Sequence, residues 1–303
     1  MRRRFVAIIL WTLTLSASSS ASAQLSLDSN FDHGSLESWS GNLSAVNLVG
    51  RDNYYGGGKW RWLYFQATGV QGASPTFSIS RNFAGDATPG LHELEEHEMV
   101  YSYDNVNWSF FDNNTLGAVN YTFSNATPFA QNAVYVAYAI PYSYGRSVAH
   151  TQTVLASPWA APTVSGNANG VIGQSPARVD DLGRSIPALD LFAYRITNPA
   201  TDSASPKRKI AISSGLHAGE PLGTHTYEGL VDWLISDDPR AARLRDIAEV
   251  FAYPVLNPSG RYAGMNRTTV GNPSRDPNGL WDSTRWSNGN YGCGSNNCQD
   301  IRE

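Results

Sequence analysis

Cysteine is scarce in this chain: Cys293 and Cys298 are the only two thiols in 303 residues. Two thiols alone make a weak metal site, because structural zinc wants four ligands. Four residues separate them, and a tight turn can close such a pair as a local disulfide in an oxidising compartment. Clusters of lysine and arginine are missing as well. Phosphate backbones are held by concentrated positive charge, so nucleic acid is excluded as a partner. Long hydrophobic runs are also absent. The apolar stretch Phe5–Leu15 is too short to span a bilayer, so no membrane is expected as a partner. Neither an internal repeat nor a low-complexity tract interrupts the chain.

What the sequence does contain begins with its first residues. Arg2, Arg3 and Arg4 precede the apolar run, and Ala21-Ser22-Ala23 follows it. This is the layout of a secretory signal peptide over residues 1–23, cleaved after Ala23. It predicts a secreted or periplasmic protein. Those residues carry three Arg and no acid, so their removal takes the formal charge from −4 to −7. The chain is long enough for two domains, and with 41% apolar residues it can build a core in each. Its 27 Gly, 16 Pro and 12% aromatics suggest strands and loops more than a helical bundle.

Residues 24–138 read as a β-sandwich domain. Strands are predicted over Leu25–Phe31, Lys59–Thr68, Pro75–Ser80, Val100–Tyr103, Val119–Phe123 and Ala133–Ala139, with turn-forming residues between them. The aromatic side chains are expected in the sandwich core and not on a sugar-binding face. Residues 139–303 read as an α/β domain with a mixed sheet. Helices are expected over Arg146–Leu155, Gly223–Ile235 and Pro239–Ile247, and strands near Leu189–Thr197, over Arg208–Ser214 as a buried strand, and over Val250–Leu256. Tyr227, Leu230, Val231 and Leu234 fall on one face of the second helix.

The chemistry concentrates in the turn after the strand at Arg208. In open α/β sheets, functional loops gather at the carboxyl ends of strands. His217-Ala-Gly-Glu220 sits there. Imidazole and carboxylate are both zinc ligands, and two intervening residues let both face one ion. Gly219 permits close backbone approach. The alternative reading is a surface His beside a Glu favoured at a helix start by the macrodipole.

A second set of motifs follows: Tyr253-Pro-Val-Leu-Asn257-Pro-Ser-Gly260, then Asn266-Arg267, then Arg275-Asp276-Pro277-Asn278-Gly279. Together with His217 and Glu220 these resemble the zinc metallocarboxypeptidases of the carboxypeptidase A type. Their patterns are H-x-x-E, N-P-D-G, an Arg, and D-x-N-R. Ser29-Asn30-Phe31-Asp32, Trp62-Leu-Tyr-Phe65 and Pro141-Tyr-Ser-Tyr144 resemble the sandwich that precedes the catalytic domain in the cytosolic carboxypeptidase branch. The resemblance implies a β-sandwich followed by an α/β carboxypeptidase-like domain, and hydrolysis of C-terminal peptide bonds with Zn2+ as cofactor. Peptide or protein C-termini would be the partners. His217 and Glu220 would be metal ligands. Arg267 would be catalytic, stabilising the developing oxyanion. Asn278 would bind the substrate's terminal carboxylate. Arg261 and Arg275 are rivals for the role given to Arg267. His225 is expected to be structural, and His33, His92, His97 and His150 are given no role.

Two departures stand against the resemblance. Gly279 replaces the Arg that ends D-x-N-R, so the usual bidentate partner of a terminal carboxylate is missing there. Arg285 is a candidate substitute. The third zinc ligand, a His, and the general base, a Glu, are expected beyond Glu303, so the sequence reads as a C-terminally truncated fragment whose sheet has an exposed edge. Two other functions remain open on the sequence: an acyl-amino-acid amidohydrolase of the aspartoacylase type, and a degenerate, non-catalytic binding homologue.

Overall fold

The computed structural model describes residues 24–52, 58–84, 92–164, 167–202, 206–271 and 276–277. The expected signal peptide, Arg275, Asn278, Gly279, Arg285, Cys293 and Cys298 lie outside the described residues.

Among the described residues, ten strands make the first part of the chain. They are β1 (Ser26–Asp28), β2 (Ser38–Gly41), β3 (Ala45–Val49), β4 (Tyr64–Thr68), β5 (Thr76–Ser80), β6 (Val100–Ser102), β7 (Ser109–Phe110), β8 (Asn113–Leu116), β9 (Asn120–Ser124) and β10 (Ala133–Ala137). They form two five-stranded sheets, ordered β1-β4-β10-β6-β7 and β2-β3-β5-β9-β8. All pairings are antiparallel except β3 with β5. Alternation along the strands explains the packing. Phe65 and Ala67 of β4, Phe77 and Ile79 of β5, Tyr121 and Phe123 of β9, and Val134 and Val136 of β10 meet in one buried core. Phe77 stacks on Phe123 with ring centroids 5.2 Å apart. Each such buried ring contributes about 1.5–3 kcal/mol, so the aromatic content stabilises the core. Strands β2, β7 and β8 escape the sequence reading because they are short and bury no residue, and β3 escapes it although Val46 and Leu48 alternate into the core.

The second part starts at α1 (Tyr144–Leu155) and continues through β11 (Ala160–Pro162), β12 (Val171–Ser175), β13 (Arg178–Val179), β14 (Ser185–Ile186), β15 (Leu189–Phe192), β16 (Tyr194–Ile196), β17 (Arg208–Ser213), α2 (Pro221–Ile235), α3 (Pro239–Ile247), β18 (Ala248–Tyr253) and α4 (Pro258–Tyr262). A four-stranded mixed sheet runs β11-β16-β18-β17. Only β17 and β18 are parallel, paired from Arg208↔Ala248 to Ser213↔Tyr253. Val154 of α1 and Tyr227, Val231 and Leu234 of α2 pack on Tyr194, Ile196, Val250 and Ala252.

Three details differ from the sequence reading. Arg208–Ser213 is a strand, but not a buried one: among the described residues it pairs only with β18 and is exposed at every residue but Ile212. Leu230 is 41% exposed, because it lies about 100° around the helix from Val231. The segment Leu189–Thr197 is two strands, β15 pairing with β12 and β16 joining the mixed sheet.

The sandwich and the mixed-sheet part are bonded directly. Asp32 accepts from the backbone N–H of Tyr144 at 3.0 Å and of Gly145 at 2.7 Å, closing the start of α1. Arg51 donates to Asp180 at 2.9 Å with both side chains buried. Gly264 holds a φ of +60°, and a Cβ there would lie 2.2 Å from the Gly34 carbonyl oxygen. Only glycine allows the two backbones to meet there.

Candidate metal centre

The parallel pair β17 and β18 places two loops side by side at the carboxyl end of the sheet. Leu256 N–H donates to Ser214 O at 3.0 Å, and Asn257 N–H donates to Gly215 O at 3.2 Å. Asn257 is fully buried. Its Nδ2 donates to Leu216 O at 3.3 Å and to Thr268 O at 3.0 Å, while its Oδ1 accepts from Gly260 N–H at 2.9 Å. One side chain thereby fixes the immediate neighbours of His217 and Arg267.

The turn from His217 to Glu220 is held from two further sides. Gly219 N–H donates to Asn266 O at 2.6 Å. A Cβ on Gly219 would meet that oxygen at 2.9 Å and Trp62 Cβ at 3.0 Å. From the sandwich, His33 Nε2 donates to Ala218 O at 3.0 Å. The His33 ring stacks on Trp62, centroids 4.5 Å apart, and Trp62 Nε1 donates to His33 O at 2.9 Å. His33 is wholly buried, and burial holds its pKa well below the usual histidine range. It is neutral at the tautomer that carries the proton on Nε2.

Within this frame, His217 Nδ1 lies 3.2 Å from Glu220 Oε2. Two ligands of one tetrahedral zinc, each about 2.1 Å from the ion, sit about 3.4 Å apart. The pair therefore fits two positions on one metal. The opposite ring nitrogen, His217 Nε2, is 3.2 Å from Asp276 Oδ1. A carboxylate on the far nitrogen orients a metal-binding imidazole and raises its basicity. Arg267 completes the group, with Nη2 3.0 Å from His217 Nε2 and Nε 3.5 Å from Asp276 Oδ2. Its Nε also lies 4.0 Å from Glu220 Oε1. Arg61, from the segment before β4, reaches that same oxygen at 3.6 Å.

The charges respond accordingly. Burial works to lower the His217 pKa, but the hydrogen bonds with Asp276 and Glu220 outweigh it and raise the pKa to about 9. The bond with His217 lowers that of Glu220 against the opposing effect of burial, helped by the charges of His217, Arg61 and Arg267. A cavity of about 370 Å³ opens beside the pair, lined by Ser213, Gly215, Leu216, Thr224 and Leu256 among others.

Of the residues singled out in the sequence, the fold brings His217, Glu220 and Arg267 together. Arg261, the rival of Arg267, is buried and donates to Thr224 Oγ1 at 3.0 Å, with no bond to His217. His225 lies 3.3 Å from Ile140 O and edge-on to Tyr142. Among the described residues, no group of three or more His, Cys, Asp or Glu side chains is arranged to hold a metal. Asp276 does not converge with Glu220, because it faces the opposite ring nitrogen. Asp276, Asn257, Arg61 and His33 were given no role in the sequence reading. The first two lie inside motifs already singled out. His33 directly follows Asp32 in the sandwich signature, and it bonds to the turn that carries His217 and Glu220.

A strand-end His and Glu pair beside a mixed sheet, with a neighbouring β-sandwich bonded to its turn, is the arrangement that the resemblance to carboxypeptidases implies. Residues 174–302 match the sequence model of the zinc carboxypeptidase family. It is 24% identical to human (Homo sapiens) cytosolic carboxypeptidase 2 over 263 residues, covering 81% of this chain and 28% of that protein. It is 27% identical to cytosolic carboxypeptidase 3 of Bos taurus over 255 residues, covering 76% of this chain and 24% of that one. Among solved structures it is similar to a metallo-carboxypeptidase from Burkholderia cenocepacia, with 26% identity and a TM-score of 0.70 over 92% of this chain and 66% of the other. The chain thus spans about a quarter of these curated relatives. The curated relatives also correct one expectation. They are named cytosolic carboxypeptidases, which overturns the placement of this protein as secreted or periplasmic.

Proposed function

We propose that this chain belongs to a zinc-dependent metallocarboxypeptidase that removes C-terminal residues from peptides or proteins. The observation that carries the reading is the 3.2 Å separation of His217 Nδ1 and Glu220 Oε2, with a carboxylate on the opposite face of the imidazole. His217 and Glu220 would hold zinc, which supplies Lewis acidity and activates water at a hydrolytic centre. Arg267 presents a fixed cation at the same place. It would stabilise negative charge as it develops on the scissile carbonyl. Asp276 would keep the imidazole in the tautomer that leaves Nδ1 free for the metal. Asn278, two residues beyond Asp276 in sequence, would help hold the terminal carboxylate. In this reading the catalytic part begins at residue 139, and the sandwich of residues 24–138 supports it.

The test is product analysis with the full-length, zinc-loaded protein. Free C-terminal amino acids released from unmodified peptides support the reading. Hydrolysis of acylated amino acids without peptide hydrolysis replaces it with the aspartoacylase-type reaction. A protein that cleaves neither, and binds no zinc, is a non-catalytic homologue.

A further inference from the structure

We propose that Arg61, a residue of the sandwich, is a substrate-binding cation that takes a carboxylate of the peptide beside the metal ligands. The inference rests on the carboxypeptidase reading and assigns one of its binding residues. Arg61 Nε and Arg267 Nε both lie within 4.0 Å of one oxygen, Glu220 Oε1. Arg267 is already in contact with His217 Nε2, at 3.0 Å, and with Asp276 Oδ2, at 3.5 Å. Arg61 is not. Its ion pairs are long, 3.6 Å to Glu220 and 3.8 Å to Glu93. Charge-assisted hydrogen bonds of the strong kind are about 2.7–2.9 Å. Among the described residues, no partner of Arg61 lies within hydrogen-bond distance.

The side chain is nonetheless held in place. Its guanidinium carbon sits 5.6 Å from the Phe83 ring centroid, and flanking Trp60 and Trp62 are buried. About a fifth of the side chain, 21%, remains exposed. It is therefore a braced cation with free donors, beside Glu220. A divalent ion held by His217 and Glu220 would draw the Glu220 charge onto itself and loosen the pair with Arg61. The fork of donors would then suit an incoming carboxylate. Gly279, following the Asn278 assigned to the same task, brings no charge. Two carboxylates could fill the position: the terminal one of any peptide, or the side chain of an acidic last residue.

Binding of three blocked dipeptides to the zinc-loaded full-length protein separates these sources. N-acetyl-Ala-Ala carries only the terminal carboxylate, N-acetyl-Ala-Glu-amide carries only the side-chain one, and N-acetyl-Ala-Ala-amide carries neither. The dissociation constants are read by calorimetry, with kcat and KM wherever hydrolysis occurs. Wild type is expected to bind one of the two carboxylates about tenfold more tightly than the diamide, the order of one charge-assisted contact. Arg61→Gln should erase that preference, leave zinc stoichiometry unchanged and raise KM with little change in kcat. Arg61→Lys should restore part of it. Loss on the first dipeptide identifies the terminal carboxylate, and loss on the second the side chain. The proposal is overturned if wild type shows no carboxylate preference, or if Arg61→Gln retains it. A lost preference in a protein that hydrolyses no peptide would leave Arg61 as a carboxylate site and overturn the carboxypeptidase reading instead. Should Arg61→Gln fail to fold, Glu93→Gln decides. Removing that competitor should tighten the same dipeptide at least twofold, and an unchanged constant counts against the proposal.

Discussion

The imidazole of His33 donates to the carbonyl of Ala218 at 3.0 Å, joining positions 185 residues apart. The donor belongs to the sandwich and the acceptor lies between the two proposed zinc ligands. The sandwich is therefore bonded to the turn of the proposed metal site, beyond packing against its surroundings. His33→Ala removes that bond, strands a buried carbonyl and opens a space beside Trp62. The expected loss is about 2–4 kcal/mol of stability, with weaker zinc binding. Denaturant titration and zinc calorimetry on the same variant check both. Unchanged zinc affinity would confine His33 to a packing role.

Asn257 links Leu216 to Thr268, and through them His217 to Arg267. Asn257→Ala should reduce zinc affinity by about 10–100-fold, the range typical of lost supporting contacts. It should also cost about 2–3 kcal/mol, because the Thr268 carbonyl and the Gly260 N–H lose their partner. Competition with a chelator of known affinity measures the first effect. Zinc binding equal to wild type would contradict the linkage.

Arg261 is the opposite case, a buried cation with little to hold it. Its Nη2 reaches Thr224, but Nε and Nη1 have no hydrogen-bond partner among the described residues. Burial lowers its pKa to about 10. Replacing an under-compensated buried ion with an apolar side chain of similar volume is often stabilising, by about 1–4 kcal/mol. Arg261→Met is therefore expected to unfold at higher denaturant than wild type. A lower midpoint would contradict this reading of Arg261.

Stability should fall in mild acid. Burial outweighs the bond from His97 to Tyr138 O and lowers the His97 pKa to about 4, and burial also holds His33 well below its usual value. The unfolded chain titrates these imidazoles near pH 6.5. Below that, the unfolded state binds more protons than the folded state, so stability is full above about pH 6.5 and declines as pH falls toward the folded pKa. The slope is at most about 1.4 kcal/mol per pH unit per site. His97→Gln should flatten part of it between pH 6.5 and 4, as read by urea midpoints across that range. An unaltered slope would remove His97 from the account.

Much of this was legible in the sequence where side-chain chemistry is strongly patterned. The alternation Leu63, Phe65, Ala67 marks β4, and Tyr227, Val231 and Leu234 mark the buried face of α2. His217 and Glu220 stand out through their motif and Arg267 through the family resemblance, and the three converge in space. The strands β7 and β8 were not legible, because exposed polar residues at an edge carry no burial pattern. Arg208–Ser213 reads as buried from its Ile-Ala-Ile, yet it lies at the sheet edge. Arg61 and His33 were invisible for another reason. Their partners lie 159 and 185 residues away, and no local pattern encodes such a contact. The expected export, read from the first residues, is corrected by the relatives' names.

Metal analysis of the full-length protein tests the central claim most directly. Purified wild type should carry about one zinc per chain at the proposed site, and His217→Ala and Glu220→Ala should each lose it. Arg267→Ala should keep the zinc while losing peptide hydrolysis. Retention of wild-type zinc affinity by both ligand variants would contradict the assignment of His217 and Glu220.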